Sequence, residues 1–263
     1  MILDFSSSAT YELSAPTLVV LMVEPTLVGP SHRIISEHLR TTPVESATLW
    51  RDVYDNPARH FMAPAGTFSF HFEGSAEVTP SGIVPDDAYE HPLKDLPPYV
   101  LLYTLPSRYC QSDMLVRLAF SEFGALRPNG HRVNLIAKWI REKVEYQYGT
   151  TTALTSAYDT VTQRVGVCRD FAHLLITFCR ALNIPARYVS GYCLDLEPPD
   201  FHAWAQVYLS GAWHNVDATY GEPREALLPI AMGRDAADVA IATIYGSSEF
   251  SGQTVMVKRA DEG

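Results

Sequence analysis

The apolar pattern of this chain changes period once, and proline marks the change. Before residue 80 apolar and polar side chains alternate, as in Phe68, Phe70 and Phe72 against Ser69, His71 and Glu73, the two-residue repeat of a half-buried strand. Candidate strands cover roughly 17–24, 32–41, 45–54 and 67–78. Five prolines then fall between Pro80 and Pro98 with little periodicity, which reads as a long connection leaving a β-rich unit. Beyond it the spacing turns helical. Ser112 and Asp113 can cap a helix through Glu122, and Val133, Ile136, Ala137, Ile140 and Val144 recur at helical intervals behind Asn129. A further helix should run from Cys168 to about Leu182, where Asn183 and Pro185 stop it. Strands are expected again at Ala186–Leu194, Phe201–Leu209 and Ala212–Thr219, the last two joined by Ser210 and Gly211 as a hairpin. The expected fold class is α+β, with a β-rich domain over 1–104 and a second domain over 105–263.

With 263 residues the chain needs no disulfides to bury a core, so hormone-like, toxin-like and fibrous architectures are excluded. A net charge of −10, with no Lys/Arg run longer than two residues, argues against nucleic acid as a partner and against an anionic membrane surface. The longest apolar run, Leu18 to Val23, is far shorter than the roughly 20 residues of a membrane span. Met1–Thr10 lacks the basic and apolar regions of a secretory signal, and the expected location is cytoplasmic. Cys110, Cys168, Cys179 and Cys193 show no C-x-x-C spacing, and no EF-hand-like acidic run occurs. Neither a metal site nor a cofactor is expected.

Three stretches carry chemistry: Gly166 to His173 (GVCRDFAH), Phe201 to Trp204 (FHAW), and Trp213 to Thr219 (WHNVDAT). They place a cysteine at a helix start, a histidine on a strand and an aspartate on the next strand, the parts of a thiol nucleophile system. A two-residue loop at Ser210 and Gly211 pairs Leu209 with Ala212, Tyr208 with Trp213 and Trp204 with Asp217. His202 and Asp217 then become diagonal neighbours on one face, about 7–8 Å apart between Cα atoms. A slip of one residue would send Asp217 to the other face. The energetics require the histidine. Moving a thiol pKa from about 8.5 to the 3–4 of histidine-paired catalytic cysteines is worth roughly 6 kcal/mol, and a helix N-terminus supplies only about 0.3–2.

The other candidates read as structure. His173 lies about 140° around the helix from Cys168, and Cys110, Cys179 and Cys193 read as packing. Trp204, Tyr208 and Trp213 share the face of His202 and are expected as walls of a substrate groove, or as an aromatic cluster. A zinc hydrolase using Cys168, His202 and Asp217 would have an uncommon ligand set.

These motifs, with NIPARYVSGY at Asn183–Tyr192, LPSRY at Leu105–Tyr109, and Gly233-Arg234-Asp235 with Asp238-Val239, resemble the bacterial transglutaminase-like family, often described as candidate cysteine proteases. The resemblance is most specific from about 105 to 240. It implies a papain-like α+β catalytic core behind a β-sandwich-like N-terminal domain. By motif match Cys168 is the nucleophile, His202 the general base and acid, and Asp217 the carboxylate. Two positions depart from the pattern: Ala218 stands where proline often follows the aspartate, and Asn183 where glycine often precedes Ile-Pro-Ala-Arg. The expected activity is attack on a peptide or side-chain amide through an acyl-enzyme, with hydrolysis favoured over transfer to an amine. The rival is a non-catalytic peptide-binding module of the same fold.

Overall fold

Alternation in the first third of the chain builds two antiparallel sheets. In the computed structural model, which describes residues 1–26, 31–80 and 82–260, six strands precede the proline-rich connection. They are β1 (Ile2–Leu13), β2 (Thr17–Leu21), β3 (His32–Thr42), β4 (Thr48–Arg51), β5 (Pro57–Ala63) and β6 (Gly66–Val78). The chain continues through a short helix α1 (Pro98–Leu101), then α2 (Ser112–Phe123), α3 (Gly130–Lys143), β7 (Glu145–Tyr146), α4 (Ala157–Gln163), β8 (Val165–Gly166) and α5 (Cys168–Ala181). Six strands complete it: β9 (Ala186–Cys193), β10 (His202–Leu209), β11 (Ala212–Val216), β12 (Leu227–Gly233), β13 (Ala242–Ile244) and β14 (Ser248–Arg259).

The four-stranded sheets run β14-β1-β6-β3, β13-β2-β5-β4 and β11-β10-β9-β12. Phe68, Phe70 and Phe72 are buried on one face of β6, each worth about 1.5–3 kcal/mol of transfer free energy. That face has two partners. Phe68 meets Phe61 of β5 at 5.2 Å between ring centroids, closing the sandwich. Phe5 of β1 packs at 4.9 Å on Tyr192 of β9, whose hydroxyl bonds to Ser7, so the same sheet also leans on the third one.

The expected α+β class is the observed one, with the expected helices starting at Ser112 and Cys168. Two details differ. Neither Ser112 nor Asp113 caps its helix; Gln111 occupies the cap position and Ser112 is already helical. The division at 104/105 also needs correction at its far end. β13 pairs with β2 and β14 pairs along almost all of β1, so the last strands belong to the N-terminal sheets and not to a 105–263 unit. β1, β5, β12, β13 and β14, and the two-residue strands β7 and β8, lie outside the expected strands. β14 is an edge strand exposed on most of its residues, so it carries little apolar alternation.

Helix α5 is buried at every residue from Asp170 to Ala181. Its end is a Schellman motif: Ile184 N–H bonds to Cys179 C=O and Asn183 N–H to Arg180 C=O. Asn183 has φ 63°, the left-handed region that asparagine tolerates better than most residues, so it fills the position where the family pattern has glycine. Arg180 is 2% exposed and answers five acceptor contacts. Its guanidinium donates twice to Ala186 C=O, and to Leu105 C=O, Ser107 Oγ and Arg234 C=O, at 2.6–3.1 Å. One side chain thus ties the helix to the LPSRY segment, to the start of β9 and to the loop after β12. Arg180→Met would strand these acceptors and should lower unfolding free energy by about 3–5 kcal/mol in urea titration. A loss under about 1 kcal/mol would refute this role.

Candidate active site

The head of α5 is fixed by its own third residue. Asp170 is fully buried and its Oδ2 accepts the Val167 N–H at 2.9 Å, half of a capping box, and also the Thr151 hydroxyl. A Cβ on Gly166 would stand 2.7 Å from the Asp170 Cβ, so only glycine lets the carboxylate fold back here. Arg169 donates to the carbonyls of Thr152 and Thr155 at 2.8 and 2.9 Å. The neighbours of Cys168 in the motif therefore pin the 150–156 loop against the helix start. Cys168 itself is half-buried, whereas Cys110, Cys179 and Cys193 are buried. Burial pushes the Cys110 thiol up to about 12, and raises those of Cys179 and Cys193 as well.

The histidine and aspartate are brought together by the hairpin. Ser210 and Gly211 have φ values of 49° and 81°, both left-handed, as a two-residue type I′ turn requires. The ladder runs from Leu209↔Ala212 to Ala205↔Val216, the expected register, and leaves Asp217 just past its end. His202 Nε2 and Asp217 Oδ2 are 2.6 Å apart, with side chains 1% and 5% exposed. Asp217 Oδ1 accepts the Thr219 N–H at 2.8 Å, which orients the carboxylate. Trp204 stacks on the imidazole at 6.0 Å between centroids, and Tyr220 lies 5.8 Å from it. Burial favours the neutral ring, but the hydrogen bonds and charges of Asp217 and Cys168 outweigh it and hold His202 well above its ordinary value. With Nε2 committed to Asp217, Nδ1 has no hydrogen-bond partner among the described residues, and the Cys168 side chain is near enough to contribute to the ring's raised proton affinity.

The expected aromatic groove is not formed. Trp204 is fully buried, its indole N–H on Asn215 Oδ1 at 3.0 Å, and it backs the imidazole without reaching solvent. Tyr208 lies six residues along β10 from His202, about 20 Å away in a strand. Tyr208 and Trp213 pack on each other at 5.3 Å, and Tyr208 joins Leu96 and Val100 in a separate apolar cluster. Sharing one face of a strand did not mean sharing one end of it. Missed from the sequence were Tyr220, three residues past Asp217, and Tyr146 and Tyr148, which precede Cys168 across an intervening helix. Tyr146 pairs with Gly166 in the short β7–β8 ladder, which brings it beside the cysteine. Isolated tyrosines carry no periodic signal. Among the described residues no group of three or more His, Cys, Asp or Glu side chains converges as metal ligands would.

His173 serves the frame of the site. It is fully buried, stacks on Tyr109 at 5.2 Å, and its Nε2 accepts the Ala236 N–H at 3.1 Å, holding the loop after β12. Asp235 in that loop takes the Tyr109 N–H at 2.7 Å. Burial, helped by Arg169 and Arg180, holds His173 well below its ordinary value. The unfolded chain alone gains this proton as pH falls through about 6.5, so stability should drop there by up to about 1.4 kcal/mol per pH unit. His173→Gln keeps an acceptor for Ala236 and does not titrate. Urea midpoints at about pH 7.5 and about pH 5.5 should show a flatter acid limb for it than for wild type; equal slopes would place the proton elsewhere.

Comparison with known proteins identifies the family of the chain. Residues 121–218 match the model of the Transglutaminase-like superfamily. An uncharacterized protein of Mycobacterium leprae is 40% identical over 116 residues, 40% of each chain. Another from Mycobacterium tuberculosis is 32% identical over 157 residues, 53% of this chain and 50% of its own, so the match spans half or less of these curated relatives. A crystal structure of a candidate cysteine protease from Cytophaga hutchinsonii is 38% identical, with a TM-score of 0.92, over 100% of this chain and 92% of that one. Near-complete correspondence with that structure, together with the superfamily match across the segment that carries Cys168, His202 and Asp217, shows that the chain belongs to the bacterial transglutaminase-like family.

Proposed function

We propose that the protein is a thiol enzyme that cleaves peptide or side-chain amides of a peptide or protein substrate by a Cys168-His202-Asp217 triad. The observation that carries this reading is the buried imidazole held by Asp217, with its proton affinity raised, at the mouth of a helix that begins with a half-exposed cysteine. An imidazolium beside the sulfur favours the anionic nucleophile, and Asp217 fixes the ring and stabilises its positive form.

The steps follow from these positions. The Cys168 sulfur adds to the carbonyl carbon, and the carbonyl electron pair moves to oxygen. As that pair returns, the C–N bond breaks and His202 gives its proton to the leaving nitrogen. The acyl-enzyme remains. Water, deprotonated by His202, attacks it and releases the acid and the thiol. An amine in place of water would give acyl transfer through the same groups. Hydrolysis is preferred because water needs no dedicated acceptor site.

Iodoacetamide labelling with site-resolved detection tests the nucleophile. Cys168 should react well below pH 8, ahead of Cys110, Cys179 and Cys193, and His202→Ala should remove that lead. A Cys168 that labels no faster than the buried thiols would sink the proposal. Asp217→Asn should lower turnover by about 10³–10⁴-fold while leaving the fold intact, as measured on a glutamine-containing peptide. The same peptide incubated with an added amine separates the two fates of the acyl group: adducts that require the amine would favour transfer, and free acid would favour hydrolysis.

A further inference from the structure

The charge that develops on the carbonyl oxygen needs two donors, and the first N–H of α5, that of Cys168, supplies one. The side chain that stands at this N–H is Tyr146. Its strand is pinned on both sides: Glu145 N–H donates to Arg164 C=O at 2.8 Å and Gln147 N–H to Gly166 C=O at 3.0 Å. Tyr146 itself is paired with Gly166, two residues before the cysteine. Its ring packs at 5.8 Å on Phe171, one turn into α5 from Cys168, and at 5.4 Å on Tyr148, which sets its hydroxyl near enough to the Cys168 backbone N–H and sulfur to feel both electrostatically. At 37% exposure it borders solvent, as a group that meets a substrate must. Other tyrosines near the sulfur are placed differently. Tyr188 is 4% exposed, and Tyr220 lies against the His202 ring.

Resting on the thiol-enzyme reading above, we propose that the Tyr146 hydroxyl is the second donor to the oxyanion. A carbonyl oxygen arriving at the Cys168 N–H comes beside the Tyr146 hydroxyl, which turns its O–H onto the newcomer. When the Cys168 sulfur adds to the carbonyl carbon and the π pair moves to oxygen, that oxygen accepts from both Cys168 N–H and Tyr146 O–H. When the pair returns and the C–N bond breaks, both bonds relax to an ordinary carbonyl. Burial first, then the neighbouring sulfur charge, hold Tyr146 above its ordinary value, so the hydroxyl keeps the proton it must donate.

Two reactions of Cys168 separate this role from a structural one. Alkylation by iodoacetamide forms a C–S bond with loss of iodide and builds no oxyanion; acylation by p-nitrophenyl acetate, followed as the burst of p-nitrophenolate, passes through one. In Tyr146→Phe the alkylation rate should stay at the wild-type value, while the acylation rate falls about 10²-fold or more. An unchanged or faster acylation would overturn the proposal and mark Tyr146 as a plug on the N–H. Loss of both reactions together would also overturn it, since a prop for the β7–β8 ladder would behave so. If wild-type Cys168 alkylates no faster than the buried thiols, the thiol-enzyme reading itself falls and this proposal with it, a result visible before any Tyr146 variant is made.

Discussion

Polar groups on a helix buried along nearly its whole length need partners elsewhere in the chain, and helix α5, buried from Asp170 to Ala181, imposes that condition on the whole molecule. Its head is answered by Asp170 folding back on Val167 and Thr151, its middle by His173 on Ala236, and its tail by Arg180 on four separate backbone and hydroxyl sites. Within the helix, the Thr177 hydroxyl returns to the His173 carbonyl at 2.7 Å. These bonds reach segments far apart in sequence, 105–107, 151, 186 and 234–236. Motifs that look like an extended active site are for the most part the anchoring of one helix. Cys168 is positioned because everything behind it is held.

At the site the decisive balance is between burial and partnership. A wholly buried imidazole would ordinarily give up its proton, yet a carboxylate at 2.6 Å and a neighbouring sulfur outweigh burial. Such a buried pair adds little to stability, because removing two charges from water offsets most of their attraction. Trp204 and Tyr220 keep water off the ring, which strengthens the pull of Asp217, and the Thr219 N–H on the other carboxylate oxygen keeps the pair aligned.

Much of this arrangement could be read from residues alone wherever the governing interaction is local. The Ser210-Gly211 turn demands two left-handed residues and permits one register, and that register is what sets Asp217 diagonally across from His202. The stop of α5 at Asn183 is equally local, a matter of one residue that accepts positive φ. The same alternation argument misled at Tyr208 and Trp213, since it gives the face of a strand and not the position along it. β1 gives a weak strand signal because its buried positions include Ser7, a polar residue made tolerable by the Tyr192 hydroxyl of a distant strand.

Hydrophobic period, turn chemistry and motif spacing, which act over a few residues, determined the α+β class, the central helix, the hairpin that brings His202 and Asp217 together, and the candidate triad. Only the tertiary structure decided that the chain's last strands close the N-terminal sheets and that Arg180 ties α5 to three other segments. It alone decided that the aromatic wall lies away from the sulfur while Tyr146 stands beside it. The reason is physical. Local rules act through covalent neighbours, whereas an exposed edge strand, a buried guanidinium and a lone tyrosine acquire their partners only when segments separated by tens or hundreds of residues are packed together.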